Sequence, residues 1–91
     1  MRCVQLQIYG RVQGVYYRAS TQKKAEEIGV LGWVRNCDDG SVAVLATGKE
    51  EMLKALISWC HKGPTYARVD TVSVVWKEEV PIFSSFDIVR S

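Results

Sequence analysis

The sequence predicts an α+β sandwich in which two helices cover one face of a β-sheet. Four segments of the chain either alternate polar and apolar residues or are rich in β-branched residues, as strands are. Two further segments contain mostly helix-forming residues with apolar side chains at helical spacing. The chain has 91 residues, of which 47% are hydrophobic and 24% charged, and this is the composition of one ordinary globular domain.

The same composition excludes several classes of protein. No apolar run reaches the roughly 18 residues that cross a bilayer. Polar and apolar residues alternate after Met1, so we expect no signal peptide. The net charge is +2, which is too small an excess to suggest a nucleic-acid scaffold. Cys3, Cys37 and Cys60 cannot all pair within one chain, and their spacing matches no zinc site. We therefore expect reduced thiols in a cytoplasmic protein.

The first part of the chain predicts a strand, a loop and a helix. Residues 3–9 alternate strictly, which predicts a strand that is buried on one face. Residues 10–16 contain two glycines and no helical stripe, so they predict a loop. Residues 18–28 are mostly good helix formers, and Gly29 ends this helix, as a glycine just past the last turn commonly does.

The middle of the chain predicts a hairpin and a second helix. Residues 30–35 are β-branched and aromatic, which indicates a second strand. Asp38-Asp39-Gly40 is a strong hairpin signal, because aspartate and glycine tolerate positive φ. Residues 41–47 form the third strand, and residues 49–62 have the apolar stripe of a helix.

The last part of the chain completes the order of elements. Gly63-Pro64 breaks the chain, residues 68–76 predict a long fourth strand, and a short strand at residues 83–89 follows the interruption at Pro81. The order β-α-β-β-α-β with a short terminal strand predicts a ferredoxin-like sandwich with an antiparallel sheet. We expect residues 1–91 to form a single domain without a linker or repeat.

The loop between the first strand and the first helix is the strongest candidate for a binding site. It reads GRVQGVYYR over residues 10–18. Its glycines allow several amide N–H groups to converge beside the positive end of a helix, and Arg18 can place a planar guanidinium over the same point. These residues predict an anion site, although a plain strand-to-helix turn with surface arginines fits them too. The loop is not a Walker loop, because no Gly-Lys-Ser or Gly-Lys-Thr follows.

Asn36 is the second candidate, because it lies at the end of a strand just before the hairpin. An asparagine in this place usually serves the turn through an Asx-type hydrogen bond. The functional alternative is a neutral amide that holds a water molecule. The residues alone leave both interpretations open.

Two strings resemble the signatures of one family. GRVQGVYYR is similar to the acylphosphatase signature glycine-x-valine-glutamine-glycine-valine-x-aromatic-arginine. GWVRNCDDGSV, at residues 32–42, resembles the second signature of that family, in which a strand asparagine precedes an aspartate-glycine hairpin. Family-like features continue to Phe86-Asp87-Ile88, so the resemblance covers nearly the whole chain. Tyr17 departs from it, because the family most often has phenylalanine there.

The resemblance implies an enzyme that hydrolyses an acyl phosphate to a carboxylate and inorganic phosphate, with no metal and no cofactor. It implies that Arg18 binds the phosphoryl group and that Asn36 positions the attacking water. Backbone amides of the loop would bind the same phosphoryl group. The residues concerned are Arg11, Val12, Gln13, Gly14, Val15, Tyr16, Tyr17 and Arg18.

The other side chains fit such a reaction. A carboxylate leaving group has a conjugate acid of pKa ~4, so it departs without a general acid. A phosphomonoester would have to expel an alkoxide, for which enzymes usually recruit a metal or a positioned acid. The chain has one histidine, His61, on the far end of the second helix. This set of side chains favours an acyl phosphate over a phosphomonoester as the substrate.

The alternative function is a non-catalytic module that binds an anion or RNA, because ferredoxin-like sheets also bind RNA on their open face. RNA binding predicts aromatic residues on the third strand, and residues 41–47 contain none. We expect a small acyl phosphate as the partner, no nucleic acid, no membrane, and a monomer. Trp33, Trp59 and Trp76 are expected to pack within the protein, and Cys37 to point away from Asn36.

Overall fold

The computed structural model describes residues 1–90, and it contains the predicted elements in the predicted order. The bounds are β1 Arg2–Arg11, α1 Tyr17–Ile28, β2 Leu31–Asn36, β3 Val42–Gly48, α2 Glu50–Lys62, β4 Arg68–Lys77 and β5 Phe86–Ile88. The strands form one sheet in the order β4-β1-β3-β2-β5. The first four strands in this order have the ferredoxin-like arrangement, so the predicted α+β fold class is confirmed.

The sheet is mixed rather than wholly antiparallel. β1 pairs antiparallel with β3 and β4, and β3 pairs antiparallel with β2, but β5 runs parallel to β2. β5 has three residues instead of the predicted seven. Its ladder extends by one hydrogen bond at each end, from Gly32 N–H to Ser85 O and from Val89 N–H to Val34 O. The chain before it is irregular around Pro81, which has no N–H group to donate to a ladder.

The core lies between the helices and the face of the sheet that the alternation predicted. Leu6 of β1 and Val44 of β3 lie opposite each other on this face, and both are fully buried. Ala25 of α1 and Leu53 of α2 pack into the same cluster. Burial of each leucine-sized side chain stabilises the fold by about 1.5–3 kcal/mol, so these contacts hold both helices against the sheet.

β1 is longer than predicted, and this shortens the loop that follows it. Gly10 and Arg11 were expected in the loop, but they pair with β4 after a bulge between Tyr9 and Gly10. Gly10 has φ +130°, and a side chain there would collide with the backbone carbonyl of Arg68. Only glycine allows β4 to approach so closely, and the irregular loop is therefore residues 12–16.

The end of α1 and the start of α2 are each fixed by local contacts. Gly29 adopts a left-handed conformation with φ +98°, and its N–H donates to Ala25 O at 2.8 Å. At the start of α2, Glu50 forms ion pairs with Arg2 and Lys54. Within residues 1–90, neither helix is long and apolar enough to span a membrane.

The three tryptophans pack against other side chains. The Trp59 ring lies 5.8 Å from the Tyr17 ring between centroids, in the contact between the two helices. The guanidinium of Arg2 stacks over Trp76 at 4.4 Å, and that of Arg35 lies 5.6 Å from the centroid of Trp33.

Candidate active site

The loop of residues 12–16 turns sharply where β1 gives way to α1. Gly14 and Tyr16 both adopt the left-handed conformation, with φ +74° and +64°. Within residues 1–90, Tyr16 is the one non-glycine residue with positive φ. This conformation costs a non-glycine residue on the order of 1 kcal/mol, so packing of the loop against the domain holds the turn in place.

The backbone N–H groups of this turn are available to a ligand. Among the backbone hydrogen bonds that close turns and loops in the described chain, none is donated by residues 12–16. The first bonded amide of α1 is Ser20 N–H, which donates to Tyr16 O at 3.0 Å. No side chain of residues 1–90 caps α1, and its first turn contains no acidic residue. In residues 1–90, amides that donate none of these bonds therefore lie beside the positive end of the helix dipole, a setting that suits an anion.

Arg18 and Asn36 come from different elements and line the same space. Arg18 lies in the first turn of α1, and Asn36 is the last residue of β2. They line two adjoining cavities of about 340 and 360 Å³, together with Arg90. The structure therefore brings the two predicted catalytic residues together beside the loop.

Asn36 does not serve the hairpin turn. Its Oδ1 atom is buried and accepts no hydrogen bond from residues 1–90. Asp39 takes the Asx role instead, because its Oδ1 accepts from Ser41 N–H at 3.0 Å and from Ser41 Oγ at 2.5 Å. These hydrogen bonds also hold the pKa of the Asp39 carboxyl below its usual range. Asn36 pairs with Val42, a residue of the helix-covered face, so its amide reaches the space beside α1.

The charges around the cavities are mostly positive. Arg18 and Arg90 form no ion pair with a carboxylate of the described chain. Asp38 contributes one carboxylate to the lining of the outer, 360 Å³ cavity. An anion in this space therefore lies near two guanidinium groups and a helix N-terminus, against one carboxylate.

The predicted loop residues divide into three groups. Those that line the inner, 340 Å³ cavity are Val12, Gly14, Tyr16, Tyr17 and Arg18. Gln13 lines the outer cavity. The Val15 side chain is buried in the core, and Arg11 lies in β1 opposite Arg68, outside both linings.

Sequence reasoning missed Arg90. β5 is held on one side by β2 and on the other by Gln22 Nε2, which donates to Phe86 O at 3.0 Å. Phe86 and Ile88 are aligned with Gly32 and Val34, and continuation of this register carries Arg90 to the level of Asn36. Phe86, Ile88 and Arg90 alternate along the chain, and this spacing of two could have indicated that the three residues share one face of the terminal strand.

Two other reactive side chains, those of Cys37 and His61, lie outside the inner cavity. Cys37 points to the opposite face of the sheet from Asn36, where its Sγ lies 3.4 Å from Gln7 Nε2. It lines the outer cavity without reaching the inner one. His61 is in the last turn of α2 and lines neither cavity. In the part of the chain that the structure describes, no three His, Cys, Asp or Glu side chains form a cluster that could hold a metal ion.

Comparison with known proteins connects this geometry to one family. The acylphosphatase family model matches residues 4–88. An acylphosphatase of Marinobacter nauticus is 50% identical over 86 residues, which cover 94% of this chain and 90% of that protein. The crystal structure of an acylphosphatase from Bacillus subtilis is 33% identical, with a TM-score of 0.96, 99% of this chain covered and 100% of that one. That of an acylphosphatase from Coxiella burnetii is 35% identical, with a TM-score of 0.93 and coverage of 97% and 92%. A chain that matches the family model over nearly its whole length, and shares the fold throughout, belongs to the acylphosphatase family.

Proposed function

We propose that this protein hydrolyses acyl phosphates to a carboxylate and inorganic phosphate in the space that Arg18 and Asn36 share. Membership of the acylphosphatase family supports the reaction. The observation that carries the assignment of the site is the convergence of the Arg18 guanidinium, the Asn36 amide and the uncapped start of α1 on one cavity.

The loop and Arg18 bind the phosphoryl group in this proposal. Amide N–H groups between residues 12 and 18 donate to its oxygens, and the guanidinium of Arg18 donates two parallel hydrogen bonds. Negative charge spreads over these three oxygens in the transition state. Donors that are already oriented strengthen their bonds as this charge develops, which lowers the barrier.

Asn36 orients the nucleophile. Its buried Oδ1 accepts no hydrogen bond from residues 1–90, so it can accept one from a water molecule. The water oxygen attacks phosphorus, the bond between phosphorus and the acyl oxygen breaks, and the carboxylate leaves with the electron pair. An amide is a poor base, so the proton of the water passes to a phosphoryl oxygen of the substrate. The products are a carboxylate and inorganic phosphate.

The leaving group explains why so few side chains suffice. A carboxylate whose conjugate acid has a pKa of ~4 departs as an anion and needs no proton from the enzyme. The site therefore has to supply position and charge stabilisation rather than acid–base chemistry. Since one arginine and backbone amides recognise only the phosphoryl group, we expect broad specificity toward the acyl part.

The setting of the reaction belongs to the same proposal. We infer a monomer of one domain over residues 1–91 that acts in the cytoplasm on a small acyl phosphate, without nucleic acid. Free Cys3, Cys37 and Cys60, two of them buried, support a reducing compartment. The third strand has no aromatic residue to stack a base, which argues against RNA on the open face. Size-exclusion chromatography with light scattering tests the monomer.

The hydrolysis of benzoyl phosphate in the presence of EDTA tests the function. We expect rapid loss of benzoyl phosphate, no effect of EDTA, competitive inhibition by inorganic phosphate, and no release of 4-nitrophenol from 4-nitrophenyl phosphate. A titration with single-stranded RNA at two salt concentrations runs in parallel. The absence of hydrolysis above the spontaneous rate would exclude the proposed function, and tight, salt-dependent RNA binding would favour the alternative module.

A further inference from the structure

The side chain of Gln13 leaves the loop and contacts the β2–β3 hairpin. Its Nε2 donates to Cys37 O at 2.8 Å and to Ser41 O at 2.9 Å. These two carbonyls belong to the residues that close the hairpin, because Cys37 N–H also donates to Ser41 O at 2.8 Å. We call this pair of bonds from Gln13 the Gln13 clip.

The chemistry of the clip determines its orientation. A glutamine amide has two N–H hydrogens and one acceptor oxygen. Both partners are carbonyl oxygens, so only the NH₂ group can face them, and each hydrogen meets one carbonyl. Both distances are those of ordinary N–H···O bonds. The donor capacity of the group is therefore fully used between two backbone segments that are 24 and 28 residues away.

The hairpin has other supports, but none of them comes from the loop. Gln7 Nε2 donates to Ser41 Oγ at 2.6 Å from β1, and Asp39 bonds to Ser41 within the hairpin itself. Asn36 directly precedes Cys37, and its Oδ1 accepts no hydrogen bond in the described chain that would fix it. The position of the Asn36 side chain relative to the loop therefore depends on the Asn36 backbone. The Gln13 clip joins the loop to the backbone of Cys37, the next residue.

We propose that Gln13 is a positioning residue for the hydrolysis, which sets the distance between the phosphoryl group in the loop and the water on Asn36. This inference rests on the proposed function. The attack requires the water oxygen within about 3–3.5 Å of phosphorus and in line with the leaving group, and a displacement of about 1 Å can slow a reaction a hundredfold. The side chain of Gln13 acts by holding the two halves of the site in register, and it does not itself contact the substrate.

Two substitutions test the clip in different ways. Gln13→Met keeps the shape of the side chain and removes both donors. We expect kcat for benzoyl phosphate to fall by about tenfold to a hundredfold. The loop amides and Arg18 remain, so the inhibition constant for phosphate should change by less than about threefold.

Gln13→Glu tests the clip through the pH dependence of kcat, which a merely structural role of Gln13 would not change. Its carboxylate would face two carbonyl oxygens, which raises its pKa above the usual value of ~4.3. The protonated acid can donate one hydrogen bond to the hairpin. We therefore expect the kcat of Gln13→Glu, relative to wild type, to rise as the pH falls from about 8 to about 5, while that of Gln13→Met stays flat.

Gln5→Met is the matched control. Gln5 lies on the open face of β1, is half-buried, and makes no side-chain hydrogen bond in the described chain. It should keep wild-type kcat. Urea unfolding of all variants checks that the midpoints remain well above the assay conditions.

Hydrogen exchange of the Cys37 amide gives a test that is independent of activity. This amide donates to Ser41 O, so loss of the clip should speed its exchange in Gln13→Met by about tenfold or more and leave it unchanged in Gln5→Met. Unchanged exchange in Gln13→Met, a kcat within about twofold of wild type, or a pH-independent loss in Gln13→Glu would each overturn the positioning role. An inactive wild type would instead overturn the proposed function, and the exchange result would still decide whether the clip holds the hairpin.

Discussion

The hydroxyl of Tyr17 donates a hydrogen bond to the backbone carbonyl of Cys60, with 2.7 Å between the oxygens, in the buried contact between α1 and α2. This carbonyl is among the last four of α2, which have no N–H partner inside the helix. Gly63 N–H satisfies the neighbouring carbonyl of Trp59 at 2.7 Å. The Tyr17 hydroxyl therefore caps the end of the other helix.

Tyr17→Phe should destabilise the protein by about 1–3 kcal/mol, because it leaves the Cys60 carbonyl buried without a donor. Urea unfolding should show a lower midpoint with an unchanged slope. Tyr66→Phe is the control, since Tyr66 is 75% exposed and its hydroxyl makes no hydrogen bond in the described chain. A midpoint for Tyr17→Phe equal to that of Tyr66→Phe would show that the capping bond adds nothing to stability.

The Cys60 thiol should make the protein less stable in alkaline solution. Burial raises its pKa to about 12, from an ordinary value of 9.0. Because the folded-state pKa is the higher one, the stabilisation is complete below pH 9 and is lost as the pH rises toward 12. Between about pH 8 and pH 10, the unfolded thiol ionises while the folded thiol does not, at a cost of about 1 kcal/mol.

Cys60→Ala isolates this effect, because it removes the titrating group and leaves the remaining buried acids in place. The difference in unfolding free energy between wild type and Cys60→Ala should narrow by about 1 kcal/mol when urea titrations at pH 8 and pH 10 are compared. A difference that stays constant with pH would contradict the proposed ionisation of Cys60.

The sequence predicted the fold because its strands and helices follow their own periods locally. The alternation of residues 3–9 and the apolar stripe of α2 are properties of short segments, and both elements form as predicted. The end of β1 depends instead on β4, which draws Gly10 and Arg11 into the sheet. Such a pairing joins segments almost 60 residues apart, and no local pattern reports it.

The same distinction applies to the site. Arg18 and Asn36 lie in local motifs, so the sequence identified them as candidates. Arg90 reaches the cavity only because β5 runs parallel to β2, and Gln13 reaches Cys37 O only because the hairpin folds back beside the loop. These contacts depend on the tertiary structure, so the residue types alone do not predict them.

Arg18→Ala should reduce kcat/KM for benzoyl phosphate by about a hundredfold or more, because it removes a charged donor from the developing phosphoryl charge. Inhibition by inorganic phosphate should weaken in parallel. Arg18→Lys keeps the positive charge but cannot donate two parallel hydrogen bonds, so its kcat/KM should lie between those of wild type and Arg18→Ala. Arg11→Ala is the control, because Arg11 is exposed in β1 and lines neither cavity. Equal losses in Arg11→Ala and Arg18→Ala would contradict the assignment of Arg18.

Arg90→Gln should weaken the inhibition by phosphate by about twofold to fivefold at low ionic strength, because Arg90 adds positive potential to the space beside Asn36. Arg90 is exposed, so salt should screen the effect, and the difference from wild type should shrink at about 0.5 M NaCl. Arg35→Gln loses the same charge beside Trp33, away from both cavities, and should bind phosphate like wild type. A loss that persists in high salt would indicate direct contact with the bound anion.

Asn36→Ala should separate binding from turnover. The loop and Arg18 are untouched, so inhibition by phosphate should stay within about twofold of wild type, while kcat should fall by about a hundredfold as the water loses its acceptor. Cys37→Ala is the neighbouring control, because Cys37 points to the other face of the sheet.

The stability of Asn36→Ala provides a second, opposite readout. Its Oδ1 is buried and accepts no hydrogen bond from residues 1–90, so its removal breaks no hydrogen bond within that part of the protein. Removal of that group should leave the urea midpoint unchanged or raise it, whereas removal of a bonded structural asparagine would lower it. The Asn36 amide is then kept for its role in holding the attacking water, because it adds nothing to the stability of the fold. An Asn36→Ala variant with weaker phosphate binding, normal turnover and a lower midpoint would show instead that Asn36 supports the hairpin.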